Sequence, residues 1–201
     1  MITLAIFILA LLVQLNATRY ISVKYWLVII GTTTLGTEIS DFIDRTLHLG
    51  YLVGSILLAT CLAGALLVWY GKYKDLEIYP IIEKNKELLF WAAVLFSNSL
   101  GTAFGDFLSD NLGLSYLNGA LVTGFIILVV VLLHYFTKLN HILLFWIAFI
   151  FTRPFGATFG DFLTKPIVKG GLELGTLRSS LVSIFFMTIM IAMAHKKTAV
   201  K

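Results

Sequence analysis

Residues 91–108 read WAAVLFSNSLGTAFGDFL, residues 26–43 read WLVIIGTTTLGTEISDFI and residues 146–163 read WIAFIFTRPFGATFGDFL. The three segments align without a gap. Trp26, Trp91 and Trp146 correspond, as do Gly36, Gly101 and Gly156, and then Asp41, Asp106 and Asp161. The first two copies stay in register beyond the acid, where Tyr51, Leu52 and Gly54 match Tyr116, Leu117 and Gly119. Gly175 follows in the third copy after one inserted residue. A single G-x-x-x-G-D is a weak signal, but Trp, Gly, Asp and Phe recurring three times at fixed spacing define an internal repeat.

The chain around the repeat is built for a bilayer. Of its 201 residues 59% are hydrophobic and 13% charged, where a water-soluble domain carries about 25% charged residues; mean hydropathy is +0.93. Apolar runs fall at 1–16, 25–43, 49–70, 88–108, 112–136, 141–163 and 171–194, most of them near the roughly 20 residues that a spanning helix needs. This pattern predicts an all-α fold, a polytopic helical membrane bundle of seven spans in one transmembrane domain, 1–201. An N-terminal helix, 1–16, precedes three two-helix repeats at 25–70, 88–136 and 141–194. Nothing basic precedes the first run and LVQLNATRY offers no small-residue cleavage site, so it reads as a span rather than a signal peptide. The runs lack the apolar/polar alternation of an outer-membrane barrel.

Two spans per copy return the chain to the face it started from, so the repeats are parallel, related by an axis along the membrane normal, with equivalent residues at equal depth. Trp and Asp stand fifteen positions apart in each copy, about 22 Å along a helix. Trp26, Trp91 and Trp146 are therefore expected as anchors at one interface, with the aspartates toward the other side. The net charge is +4. Arg19, Lys24, Lys72, Lys74, Lys84, Lys86, Lys138, Lys196, Lys197 and Lys201 follow odd-numbered spans; the opposite loops hold Arg45, Lys165 and Lys169, with Arg178 opening the last run. The positive-inside rule then puts the N-terminus outside and the C-terminus in the cytoplasm.

Several chemistries are excluded by what is missing. No basic patch of groove size exists, so nucleic acid is not a partner. Lone Cys61 forms neither an intramolecular disulfide nor a cysteine metal cluster. His48 and His141 fall in loops, His134 and His195 near span ends, and no H-x-x-x-H accompanies them; Met187, Met190 and Met193 read as lipid or helix contacts. The last span, 179–194, holds no lysine for a retinal Schiff base. The loop GKYKDLEIYPIIEKNKEL reads as a solvated connector.

The carboxylates are the informative residues. Small residues four apart, Gly36 with Ser40, Gly101 with Gly105 and Gly156 with Gly160, let helix backbones approach closely, and packing is their expected role. A charge near the centre of a span costs about 2.5–3.5 kcal/mol on insertion scales, so Asp41, Asp106 and Asp161 need compensation. Partners within the motif are Arg153, Asn98, and hydroxyls including Thr37, Thr102 and Thr158; the alternative is a bound proton, sodium or divalent cation, which such oxygen ligands suit. Glu38, three residues before Asp41, would add a titratable ligand on the same helix face. Arg153 replaces Thr33 and Asn98 and is followed by Pro154, which should kink or loosen that span.

At WIAFIFTRPFGATFGDFL, FSNSLGTAFGDFL and the KDLEIYPI stretch of the long loop, the chain resembles the bacterial "repeat of unknown function" family of integral membrane proteins. The likeness covers nearly the whole chain. It implies a bacterial inner-membrane protein of four such repeats, each of two spans. Residues 1–24, with Gln14, Arg19 and Tyr20 leading into Trp26, resemble the second half of a first repeat whose opening span is absent here. The resemblance carries no activity, so function is read from the residues. They predict a secondary transporter or exporter of a small cation or cation-coupled solute, with Asp41, Asp106, Asp161 and Glu38 as ligands and Arg153 as counter-charge. Besides that substrate, the bilayer and further copies of the chain are the expected partners. A non-transporting scaffold with structural aspartates is the alternative. An enzyme ranks last, because no Ser-His, H-E-x-x-H or paired aspartate signature appears.

Overall fold

A computed structural model of the chain describes residues 2–17, 21–76, 81 and 83–198. Seven α-helices run through the described residues: α1 (Ile2–Leu15), α2 (Ser22–Asp41), α3 (Gly50–Tyr73), α4 (Lys84–Asp106), α5 (Tyr116–Phe136), α6 (His141–Thr164) and α7 (Gly175–Thr198). Among these residues there is no strand. Arg19, Tyr20 and the Glu-Ile-Tyr-Pro part of the long loop, 77–80, lie outside the described residues. So do the side chains of Met187, Met190, Met193 and His195.

Among the described residues four helices have the length and hydropathy to cross a membrane: α3, α4 with the turn that extends it to Asn111, α5 and α6. Of the seven expected spans, these four meet that measure. Helix α1, with 14 residues, covers about 21 Å of a hydrocarbon core of about 30 Å. Helix α2 is diluted by Thr32, Thr33, Thr34, Thr37, Lys24, Glu38 and Asp41, and α7 opens on Arg178, Ser179 and Ser180.

Sequence kinship reappears as conformational kinship. Helices α2 and α4 both end at the motif aspartate and widen into a π-turn, Phe42–Thr46 and Phe107–Asn111. The turns close alike, Leu47 N–H donating to Phe42 O at 2.9 Å and Leu112 N–H to Phe107 O at 3.1 Å. Two residues on, the backbone must be left-handed, and Gly113 (φ 63°) supplies this in the second copy while His48 (φ 54°) is forced into it in the first. In the third copy α6 continues to Thr164 and stops before Pro166, which cannot extend a helix. Pro154, expected to kink this span, is buried inside an uninterrupted α6. His141 is the first residue of α6 rather than a loop residue.

Helix α4 is the hub, packing on α2, α3 and α6 and touching α1, while α5 packs on α6 and α1 on α2. Over half of its apolar stretch is buried, against 22–28% for the other three spans. That shelter explains how Ser97, Asn98 and Ser99, all buried, can sit in mid-span. The contacts between motif helices repeat as well. Gly36 of α2 seats on Asn98 and Ser99 of α4, and Gly101 of α4 seats on Arg153 of α6; Gly105 seats on Ala157. A Cβ at Gly36 would stand 3.0 Å from Asn98 Cβ and Ser99 N. Gly156 and Gly160 break the pattern. A Cβ at either would meet nothing within 4 Å, so their expected packing role is corrected: among the described residues no further motif helix lies beyond α6.

The tryptophans need a second correction. Trp91 and Trp146 are 1% and 3% exposed and belong to an aromatic cluster with Trp69 and Phe90, with ring centroids 5.0–6.5 Å apart. Trp146 Nε1 donates to Leu76 O at 3.4 Å and Trp91 Nε1 to Glu87 Oε1 at 3.3 Å. They lock helices together at this end. Trp26, on α2, keeps 57% exposure and is the one of the three with the surface an interface anchor requires. Position in the array, not residue type, separates the two roles.

Candidate functional site

Motif helices α2, α4 and α6 lie side by side and deliver their aspartates to one end of the bundle. Asp41 and Asp106 meet through Arg45, which stands four residues after Asp41 in the π-turn. Its Nε lies 3.3 Å from Asp41 Oδ1 and its Nη2 3.3 Å from Asp106 Oδ2. The guanidinium also stands over the Tyr51 ring, 5.9 Å from its centroid. Asp161 is held separately by Lys165, at 3.8 Å. The three carboxylate side chains keep 43%, 26% and 37% of their surface exposed. They therefore sit at a mouth rather than in a sealed interior, and Arg45, Asp110, Asp41 and Asp161 are the charges acting on Asp106.

Below this mouth the α2–α4 seam stays polar. Thr37 Oγ1 and Thr102 Oγ1 stand 3.4 Å apart, and Asn98 Nδ2 donates to Thr32 Oγ1 at 3.0 Å. The threonines also bond to carbonyls one turn back, Thr32 to Ile29 O at 2.8 Å and Thr37 to Thr33 O at 3.2 Å. Such back-bonding gives a hydroxyl in a span an acceptor on its own helix. Asn98 has no such outlet. Its Oδ1 and the Ser97 Oγ are buried with no hydrogen-bond partner among the described residues, and a buried orphan acceptor costs about 1–3 kcal/mol unless something fills the role.

The other expected ligands are not gathered here. Glu38 turns to α1, where it accepts a hydrogen bond from Thr3 Oγ1, and so does not pair with Asp41. Thr158 is buried against Gly119 of α5 and donates to Pro154 O at 2.8 Å. Arg153 forms no ion pair with a motif carboxylate. It stands eight residues before Asp161 on the same helix, about 12 Å along the axis, too far to serve as its counter-charge. Among the described residues no three His, Cys, Asp or Glu side chains converge closely enough to hold a metal ion, so Asp41, Asp106 and Asp161 do not form a three-carboxylate metal site in this arrangement.

Arg45 and Asp44 are the residues that sequence reading missed. Arg45 registered as a loop cation, although its place four residues after Asp41 on a continuing helix was a usable signal. Asp44 replaces Ser109 and Thr164 of the other copies. It is 5% exposed, accepts from Ser40 Oγ at 3.1 Å, and leaves Oδ1 without a partner against Gly54. Nothing in the sequence distinguished it from a loop acid. A separate cavity of about 300 Å³ between α3, α4 and α6 is apolar, lined by Leu52, Ile56, Leu100, Phe104, Phe151 and Pro154 among others, and none of the carboxylates borders it.

Parallel two-helix units, a glycine seam and one terminal carboxylate per copy define a helical, membrane-type repeat protein. The chain belongs to the family described as Repeat of Unknown Function (DUF347), whose model matches three times, over residues 24–74, 89–140 and 144–198. These matches coincide with the three helix pairs α2–α3, α4–α5 and α6–α7. No curated protein and no solved structure shows significant similarity to the chain.

Proposed function

We propose that the protein is a secondary transporter of the bacterial inner membrane, moving a small cation or a solute coupled to one, with its N-terminus outside and its C-terminus in the cytoplasm. The observation that carries this reading is the polar seam between α2 and α4. It runs from the Asp41–Arg45–Asp106 bridge through Thr37 and Thr102 to the unsatisfied Asn98. Ionisable and polar groups kept inside a bundle are expensive, and substrate or ion paths are where they are found. Arg45 occupies the carboxylate pair when no cation is bound. An arriving cation displaces it, since two carboxylates close together bind a positive charge in preference to facing each other.

Cation flux into proteoliposomes is the direct test. Asp106→Asn and Asp41→Asn should each lower the rate about tenfold or more, the loss of at least 1.4 kcal/mol of binding; unchanged flux in both removes the bridge from the mechanism. A non-transporting scaffold is the second reading, favoured by the fact that each of the three motif aspartates already has a basic partner. It predicts that cations leave the unfolding temperature in detergent unchanged, whereas a ligand of the native state raises it by mass action.

A further inference from the structure

Arg153 is the motif cation that stands without a counter-charge among the described residues. It lies at the middle of α6, twelve residues from His141 and eleven from Thr164, or about 16–18 Å from either end. An arginine side chain does not reach the interface from there. It is half-buried, and among the described residues it has neither an ion pair nor a hydrogen-bond acceptor. A guanidinium at mid-span without an acceptor is costly, and its usual explanation is a charged ligand or pathway.

The contacts give the direction in which it faces. Arg153 Cβ rests on Gly101. Ile150, Phe151 and Pro154, its neighbours on α6, line the apolar cavity on the α3 side, and Arg153 does not. Its side chain leaves the α4–α6 contact without joining the wall of that cavity.

We infer that Arg153, at mid-span of α6 beside its contact with α4, binds a small soluble anion bearing a carboxylate or phosphate group. The flat guanidinium fork matches both groups with two parallel hydrogen bonds. This rests on the transport reading and sharpens it. The bridge at the mouth, two carboxylates on one arginine, is net negative and takes the cation. Arg153, deeper in, takes the anionic solute that travels with it.

Unfolding temperature of the purified chain in detergent tests this without any flux measurement. Sodium acetate, sodium succinate and sodium phosphate are compared with sodium chloride at fixed pH and sodium concentration. At least one should raise the midpoint by roughly 5 °C when a hundredfold above its Kd. Arg153→Lys should weaken that anion about tenfold or more, and Arg153→Gln should abolish its effect, while Lys138→Gln keeps it. Arg153→Gln should also leave the anion-free protein at least as stable as the parent, because it removes an unpaired charge. The inference is overturned if no anion shifts the midpoint, if the shift survives Arg153→Gln, or if Arg153→Gln destabilises the anion-free protein. It is overturned too if stabilisation that needs Arg153 comes only from phosphatidylglycerol added to the micelles, which would assign a lipid headgroup instead. A chain that binds the anion through Arg153 but shows no flux refutes transport alone; flux without anion binding refutes this inference alone.

Discussion

The seam between α2 and α4 and the seam between α4 and α6 are built from the same motif positions, yet they handle charge in opposite ways. In the first, Gly36 rests on Asn98, and the carboxylates of both helices share Arg45. In the second, Gly101 rests on Arg153 at the position equivalent to Asn98, and Asp161 is left to its own Lys165. Repetition fixed the backbone geometry, and substitution at single positions made one seam a carboxylate bridge and the other the seat of an unpaired cation. Internal repeats thus supply equivalent places that need not keep equivalent chemistry.

Perturbing the glycines should break this comparison most strongly. Gly101→Ala drives a methyl group into the Arg153 backbone and Cβ, an overpacking cost of about 3 kcal/mol and a fall in unfolding temperature on the order of 6–12 °C. Gly156→Ala meets nothing within 4 Å and should gain up to about 1 kcal/mol from helix propensity. Equal losses in both variants would mean that α6 has a packing partner on that face. Next in size is Arg45→Gln, which removes the cation from two carboxylates. Partial exposure limits the loss to about 1 kcal/mol, shrinking further with salt, while Lys165→Gln, at a 3.8 Å contact, should fall within about 0.5 kcal/mol of the parent.

Asn98→Leu sharpens the same contrast from the middle of the seam. It removes the orphan Oδ1 at similar volume, so stability should hold within about 1 kcal/mol, while proteoliposome flux drops. A stable variant with full flux would exclude Asn98 from the path. The smallest effect belongs to the turn that follows the first motif. His48→Gly relieves a left-handed residue where the second copy already has Gly113, and should stabilise by about 0.5–1 kcal/mol in thermal unfolding. A loss instead would give the His48 side chain a contact of its own.

The same letters proved legible at some positions and silent at others, for a physical reason. Gly36 and Gly101 pack as their spacing predicts, because another motif helix follows each of them; Gly156 does not, because none follows α6 among the described residues. Trp91 and Trp146 share the alignment column of Trp26 but fall where α3, α4 and α6 meet, and so become core. The aspartates can be read off the linear string but their partners cannot, since Arg45 acts across to Asp106 of another helix, 61 residues away, and local spacing carries no record of that contact.

Composition and periodicity by themselves settled that the chain is helical and apolar, and that three parallel units recur in it, because hydropathy and repeat spacing are properties of the linear string. Which glycine is covered, which tryptophan is buried, which cation answers which carboxylate, and that Arg153 is left over were decided by the tertiary structure. Each depends on which helix stands beside which, and a central helix with three neighbours exposes its side chains to different surroundings from an edge helix with the same motif.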